Sequence, residues 1–153
     1  MEKIDKELLI KEISSRLPYG VKAAVCGWDE EKGEVEVQLK IYSINTDGYV
    51  YFETNDYDVD CLDVNACRLY LRPLSSMTEE EFVYLMSIRG MNLRSHEVLE
   101  MMLEYFSHPN RIAIVNTLGR YSHNIDWLDK NMFDYRGLIE RGLAIDCTNL
   151  NVY

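Results

Sequence analysis

Glu34-Val35-Glu36-Val37-Gln38-Leu39-Lys40-Ile41 alternates without a break between polar and aliphatic residues. Successive side chains of a strand point to opposite faces, so this period of two sets Val35, Val37, Leu39 and Ile41 on a core and their neighbours in water. A helix would not keep those four residues on one side. The stretch predicts a half-buried strand and, with its flanks, an α+β fold. Asn45-Thr46-Asp47-Gly48 follows it, and Asp-Gly favours a tight turn. Tyr49 to Thr54 is aromatic and β-prone, so it should return antiparallel. Upstream, Val21 to Cys26 reads as a short buried strand and Gly27 to Gly33 as a hairpin loop. Three strands joined by short turns make a meander whose apolar face needs a cover.

The nearest cover is the N-terminal segment. Ile4, Leu8, Leu9, Ile13 and Leu17 recur at helical spacing, with Lys3, Lys6, Glu7, Lys11 and Glu12 between them, and Pro18 and Gly20 stop the pattern. Cys61 to Leu71 reads equally as strand or helix, and Pro73 ends it. Thr78-Glu79-Glu80-Glu81 fits a capping box, with Thr78 as N-cap, Glu81 at the third helical position, and Met77 and Phe82 at the staple positions. That helix should run to about Arg89, with Gly90 at its end. Ser95 should cap a second one with Val98, Leu99, Met102, Leu103 and Phe106 on its stripe, broken by His108-Pro109-Asn110. Arg111 to Val115 reads as strand or helical turn. Ser122 should cap a helix through Asn131, and Asp134 another over Tyr135 to Arg141, closed by Gly142.

The chain's 153 residues suit a single α+β domain spanning 1–153. Hydrophobic residues at 47% and charged residues at 27% are ordinary globular values, which argues against disorder. The longest apolar run falls well short of a membrane span, and the N-terminus lacks a basic segment followed by an apolar one, so a cytoplasmic protein away from membranes is expected. Cys26, Cys61, Cys67 and Cys147 then read as reduced thiols. A net charge of −10 would be repelled by phosphate backbones, so no nucleic acid is expected as a partner. The charge is uneven: −7 over residues 1–70 and −3 over 71–153, with no Lys or Arg between Ile41 and Cys67. The acidic stretch from Asp47 to Asp63 suits a basic partner or simply solubility.

Catalytic and metal signatures fail on inspection. Asp56-Tyr57-Asp58-Val59-Asp60 opens like a calcium loop, but Cys61 and Cys67 stand where the sixth-position Gly and twelfth-position Glu belong. As an edge strand it would put the three Asp on a wet face and Tyr57, Val59 and Cys61 on the other. The Cys61–Cys67 spacing is wrong for zinc, and His96, His108 and His123 are scattered. There is no nucleophile elbow, Walker loop or dinucleotide fingerprint, so neither a metal nor a cofactor is expected. Arg usage rises after residue 70. Arg111, Arg120, Arg136 and Arg141 lie among Tyr121, Trp127, Phe133 and Tyr135, a composition typical of interface hot spots, although bridges to Asp126, Asp129, Asp134 and Glu140 would use the same residues internally. Tyr49, Tyr51 and Tyr57 lie on or near strands, where they suit a docking surface or, as expected here in preference, the aromatic face that helices cover.

Three stretches carry a family resemblance: Arg16-Leu17-Pro18-Tyr19-Gly20-Val21, Tyr70 to Glu81, and Asp126 to Ala144. In them the chain resembles a set of small uncharacterised proteins of gut anaerobic bacteria and of their prophages and mobile elements. The resemblance implies a phage-borne or mobile-element accessory protein and carries over no activity and no functional residues.

The reading as a whole is an N-terminal helix and antiparallel meander packed with C-terminal helices, forming a non-enzymatic protein that binds another protein or itself. Arg72, Trp127, Tyr135 and Arg136 are its candidate partner-binding residues, with the acidic strand region as a second surface. The alternatives are a hydrolase with dispersed residues, using His123 with Asp126 or Cys147, and a structural homo-oligomer.

Overall fold

In the computed structural model, residues 3–88, 94, 97, 98, 100–102 and 122–153 are described. They belong to two compact units, Met1–Leu71 with Leu138–Tyr153, and Arg72–Gly137. In chain order the elements are α1 (Lys3–Arg16), β1 (Lys22–Asp29), β2 (Gly33–Ile44), β3 (Tyr49–Phe52), β4 (Cys61–Asp63), β5 (Arg68–Pro73), α2 (Glu79–Ile88), α3 (Ser122–Lys130), β6 (Phe133–Asp134) and β7 (Ala144–Asp146). The class is α+β, with the N-terminal helix and the antiparallel strand meander that the alternation in β2 requires.

The first unit is built on that meander. β1 and β2 pair antiparallel from Lys22↔Lys40 to Asp29↔Gly33, so the strands run to the tip and the connection is only Glu30–Lys32, not the longer loop expected from Gly27. Gly27 lies within the strand, paired with Val35, and the lack of a Cβ makes room there, since one would sit 3.1 Å from both Tyr57 Cβ and Val37 Cγ2. β3 returns on β2, β4 on β3, and β5 lies antiparallel to β1 with β7 parallel beside it. The segment from Cys61 to Leu71 resolves into β4, a 3₁₀ turn at Val64–Ala66 and β5. Val37, Leu39 and Ile41 are buried while Glu34, Glu36, Gln38 and Lys40 are exposed. α1 packs against β2 and the Val64–Ala66 turn.

The buried stripe of α1 differs from the expected one. Leu9, Glu12, Ile13 and Arg16 are fully buried, at a spacing that puts all four on one face, whereas Leu8 and Leu17 are only half-buried. The Glu12 carboxylate bonds the Arg16 guanidinium one turn on, which is what lets two charges enter the core. The helix stops at Arg16, a 3₁₀ turn spans Leu17–Tyr19, and Gly20 at φ 74° ends it.

The second unit is built around the capping box. Thr78 Oγ1 accepts from the Glu81 N–H at 3.2 Å, and Glu81 Oε2 accepts from the Thr78 N–H at 2.9 Å. The staple residues Met77 and Phe82 are both buried, in a core shared with Leu74, Leu85, Met86, Val98, Leu128, Phe133 and Tyr135. β6 pairs parallel with the end of β5 at Arg72↔Phe133 and Pro73↔Asp134.

Two expected segments take other forms. Asp134 does not cap a helix: it lies in β6, and Gly137 at φ 74° interrupts the run before Leu138. Gly142 does close a turn, as a left-handed residue at φ 72°, with Leu143 N–H bonded to Leu138 O and Gly142 N–H to Ile139 O, but that turn is one turn long. The segment 53–60 is a loop rather than an edge strand. The Asn55 side chain accepts from the Tyr57 and Val59 N–H groups and donates to the Glu53 and Val59 carbonyls, so one amide satisfies the backbone that a strand partner would have paired. The helix end at Arg89–Gly90, the Ser95 cap with Leu99, Leu103 and Phe106, the break at 108–110 and the segment Arg111 to Val115 lie outside the described residues.

Candidate functional site

All four candidate partner-binding residues lie in the second unit. The Arg72 guanidinium forms a two-pronged bond to Glu81, Nη1 to Oε1 and Nη2 to Oε2, each 2.9 Å, and sits 4.3 Å over the Phe133 ring. The carboxyl of Glu81 is held below its ordinary range, first by Arg72 and also by the Thr78 N–H against the opposing effect of partial burial. Trp127 stacks on Phe133 at 5.6 Å and 23° and meets Tyr84 at 5.8 Å. Tyr135 is buried, its hydroxyl donating to Asp129 Oδ1 at 3.0 Å, and Arg136 covers its ring at 4.8 Å. Partial burial lowers the pKa of Arg136. The fork of Arg72 and the hydroxyl of Tyr135 are thus bonded within the unit. Trp127 is half-buried, and beyond it Tyr84 is exposed.

The first unit carries the other surface. Trp28 is 67% exposed, Tyr42 72%, Tyr49 46% and Tyr51 38%, so the sheet tyrosines do not lie on its covered face as expected. Val50 and Phe52 fill that role, which the alternation along β3 dictates. Between Ile41 and Ser43 the register with β3 shifts, making Tyr42 an extra residue in β2 beside the Ser43↔Tyr51 pair. On β1 and β2, Trp28 is paired with Glu34 and Cys26 with Glu36. Arg68 bonds Glu36, and Lys40 bonds Glu53 at 2.6 Å. Glu34 pushes the Cys26 thiol pKa up by hydrogen bonding, which keeps the thiol protonated.

At the β1–β2 tip an open cleft of about 600 Å³ lies between the turn and the 53–60 loop. Trp28 and Tyr57 are among its lining residues, with the acids Asp29, Glu30, Glu31, Asp56 and Asp58 and one cation, Lys32. Asp29 Oδ1 accepts from the Glu31 and Lys32 N–H groups, both at 2.9 Å, which lowers its pKa, the Lys32 bond most. The acidic composition was legible in the sequence. The exposed indole was not, because the glycines and charges from Gly27 to Gly33 read as a loop while Trp28 lies in β1 opposite Glu34.

Among the described residues, no three His, Cys, Asp or Glu side chains group to hold a metal ion. No described helix is long and apolar enough to cross a membrane. Cys147 is buried in the first unit, Asp126 is exposed in the second, and the imidazoles of His96, His108 and His123 lie outside the described residues. All four cysteines are unbridged. Cys67 is buried, and that burial pushes its pKa up to about 12.

Comparison with family models, with curated proteins and with solved structures finds no match to this chain.

Proposed function

We propose that this chain is a non-enzymatic binding protein, of the phage or mobile-element accessory type its sequence resembles, that docks a basic segment of another protein on the exposed aromatic residues of β1–β3. One observation carries the reading: Trp28, Tyr42, Tyr49 and Tyr51 are all exposed on a unit whose segment 1–70 has a net charge of −7. Exposed large aromatics are the anchors that dominate interface energetics. Acidic surroundings select a cationic partner and speed its encounter. The bonds that already occupy Arg72 and Tyr135 favour this face over the second unit's cluster.

The test is a calorimetric titration of the chain with a defined Lys/Arg-rich peptide at physiological salt. Trp28→Ser and Tyr51→Ser alter exposed positions and should leave folding within about 0.5 kcal/mol. Each should weaken binding about tenfold, equivalent to roughly 1.4 kcal/mol. Absence of peptide binding, or unchanged binding by both variants, overturns the proposal. Sedimentation of the free chain identifies the competing outcome, in which the same face pairs two copies.

A further inference from the structure

We infer that the open edge of β1 at Cys26 and Trp28 takes an extended segment of the basic partner as an added β-strand. The inference rests on the docking reading of the first unit and names how the partner's backbone is held.

The argument is an account of backbone hydrogen bonds. In an antiparallel pair, alternate residues turn their N–H and C=O groups to opposite sides of the strand. The Ile41 N–H bonds Val21 O, and Lys22 stands opposite Lys40, so Val21, Ala23, Val25 and Gly27 turn their backbone to β2. Lys22, Ala24, Cys26 and Trp28 turn theirs the other way. On that side the Lys22 N–H bonds the Tyr153 hydroxyl at 3.1 Å, and Ala24 lies opposite Arg68 of β5. β5 pairs with β1 at Ala23 and Ala24 and no further. The outward N–H and C=O groups of Cys26 and Trp28 therefore have no partner among the described residues.

Free edges are ordinarily blunted by a charge, a proline, a bulge or a covering segment. Val25-Cys26-Gly27-Trp28 is uncharged and lacks proline, its register with β2 is unbroken, and Cys26 and Trp28 are exposed. The neighbouring strand carries Glu34 and Glu36 over the same stretch, so β1 is the unguarded edge of the two. An edge of this kind recognises an extended chain, main chain giving affinity and alternate side chains giving selection.

Charge and alternation choose the occupant. A second copy would bring −10 against −10, which opposes pairing. In an added strand every second side chain lies on the face of Cys26 and Trp28, with Glu36 and Glu34 one strand further on. A Lys or Arg at those positions stands beside the exposed indole, a favourable cation–aromatic pairing. The residues between lie on the face of Val25 and Gly27, where Val25 is buried and Tyr57 closes on Gly27, and apolar side chains suit that side. The segment that fits alternates basic and apolar residues.

Hydrogen exchange followed by NMR on the full chain reads the edge directly, with a short peptide alternating Arg and Val as the probe. In the free chain the Cys26 and Trp28 amides should exchange far faster than the inward Val25 and Gly27 amides. Saturating peptide should slow both by about tenfold or more. Two versions of the peptide, N-methylated at one or the other alternate set of residues, give a second readout. The set whose amides face β1 should bind about tenfold more weakly, and the other set should bind like the parent. Cys26 and Trp28 amides that are protected in the free chain, or unprotected in the bound one, overturn the inference, as do two N-methylated sets that bind equally. Protection that rises with chain concentration in the absence of peptide also overturns it, because two copies then pair at this edge. If Trp28→Ser and Tyr51→Ser weaken binding of the Lys/Arg-rich peptide while these amides stay unprotected, the docking reading stands and only the edge assignment falls. Failure of both peptides to bind removes the docking reading itself.

Discussion

Removing Glu81 tests how the second unit is held together, because this one carboxylate does two jobs. It completes the capping box through the Thr78 N–H and receives both prongs of Arg72. Loss of the cap alone, as in Thr78→Ala, should cost about 1 kcal/mol. The Arg72–Glu81 pair is about three-quarters buried at each side chain, so its charged bonds exceed the worth of a surface pair without reaching that of a fully buried one. Glu81→Ala should therefore cost about 2–3 kcal/mol. Arg72→Ala should cost a similar amount, including about 0.5–1 kcal/mol for the contact with Phe133. The double variant should fall short of the sum by about 1.5 kcal/mol. Urea unfolding followed by Trp127 emission, in a Trp28→Phe background, reads the second unit selectively. The pH dependence supplies a second readout. The folded pKa of Glu81 lies below its unfolded value of about 4.3, so its contribution is complete above about pH 5. It is lost as pH falls through the folded value, and Glu81→Gln should flatten that part of the curve. Additivity to within about 0.5 kcal/mol, or a pH curve identical to that of Glu81→Gln, would refute the shared role.

Within the first unit, Glu12→Ala should destabilise by about 2–4 kcal/mol in thermal or urea melts, since it removes a fully buried carboxylate bonded to a buried guanidinium. Paired replacement of Glu12 by Leu and Arg16 by Met should cost far less, and equal costs would mean that the pair is not buried. Gly142→Ala meets nothing within 4 Å, so its loss of about 1 kcal/mol should come from the left-handed backbone alone. Gly48→Ala should cost somewhat more in the same melts, because a Cβ there would also push aside the Lys6 side chain that bonds Asp63. Cys67, with its thiol pushed up to about 12 and buried, should resist iodoacetamide until the unit unfolds. Mass spectrometry finding Cys67 alkylated as fast as the exposed Cys61 would contradict its placement.

Periodic and capping signals in the chain translated directly into structure. The alternation at 34–41 became β2, and Thr78 through Phe82 became a capped, stapled helix start. The α1 stripe was half legible. Leu9 and Ile13 marked the face, but the charges of Glu12 and Arg16 disguised their membership in it. Their separation of four residues, acid before base, was the available signal. For the candidate site, the residue types were readable and their placement was not. The acidic stretch and the tyrosines were evident, yet which row of β3 is covered was set by its pairing with β2, where Phe52 lies opposite the buried Ile41 and so leaves Tyr49 and Tyr51 in water.

The sequence by itself determined the class of this protein, its meander and its capped helix, because those depend on neighbours two to four residues away. Tertiary structure alone decided that Phe133 and Asp134 form a strand beside β5, that Asn55 folds 53–60 into a loop, and that Arg72 meets Glu81. Each of these is settled by a hydrogen-bond or ion-pair partner that burial makes costly to leave unmet, and such partners are chosen by proximity in space rather than along the chain.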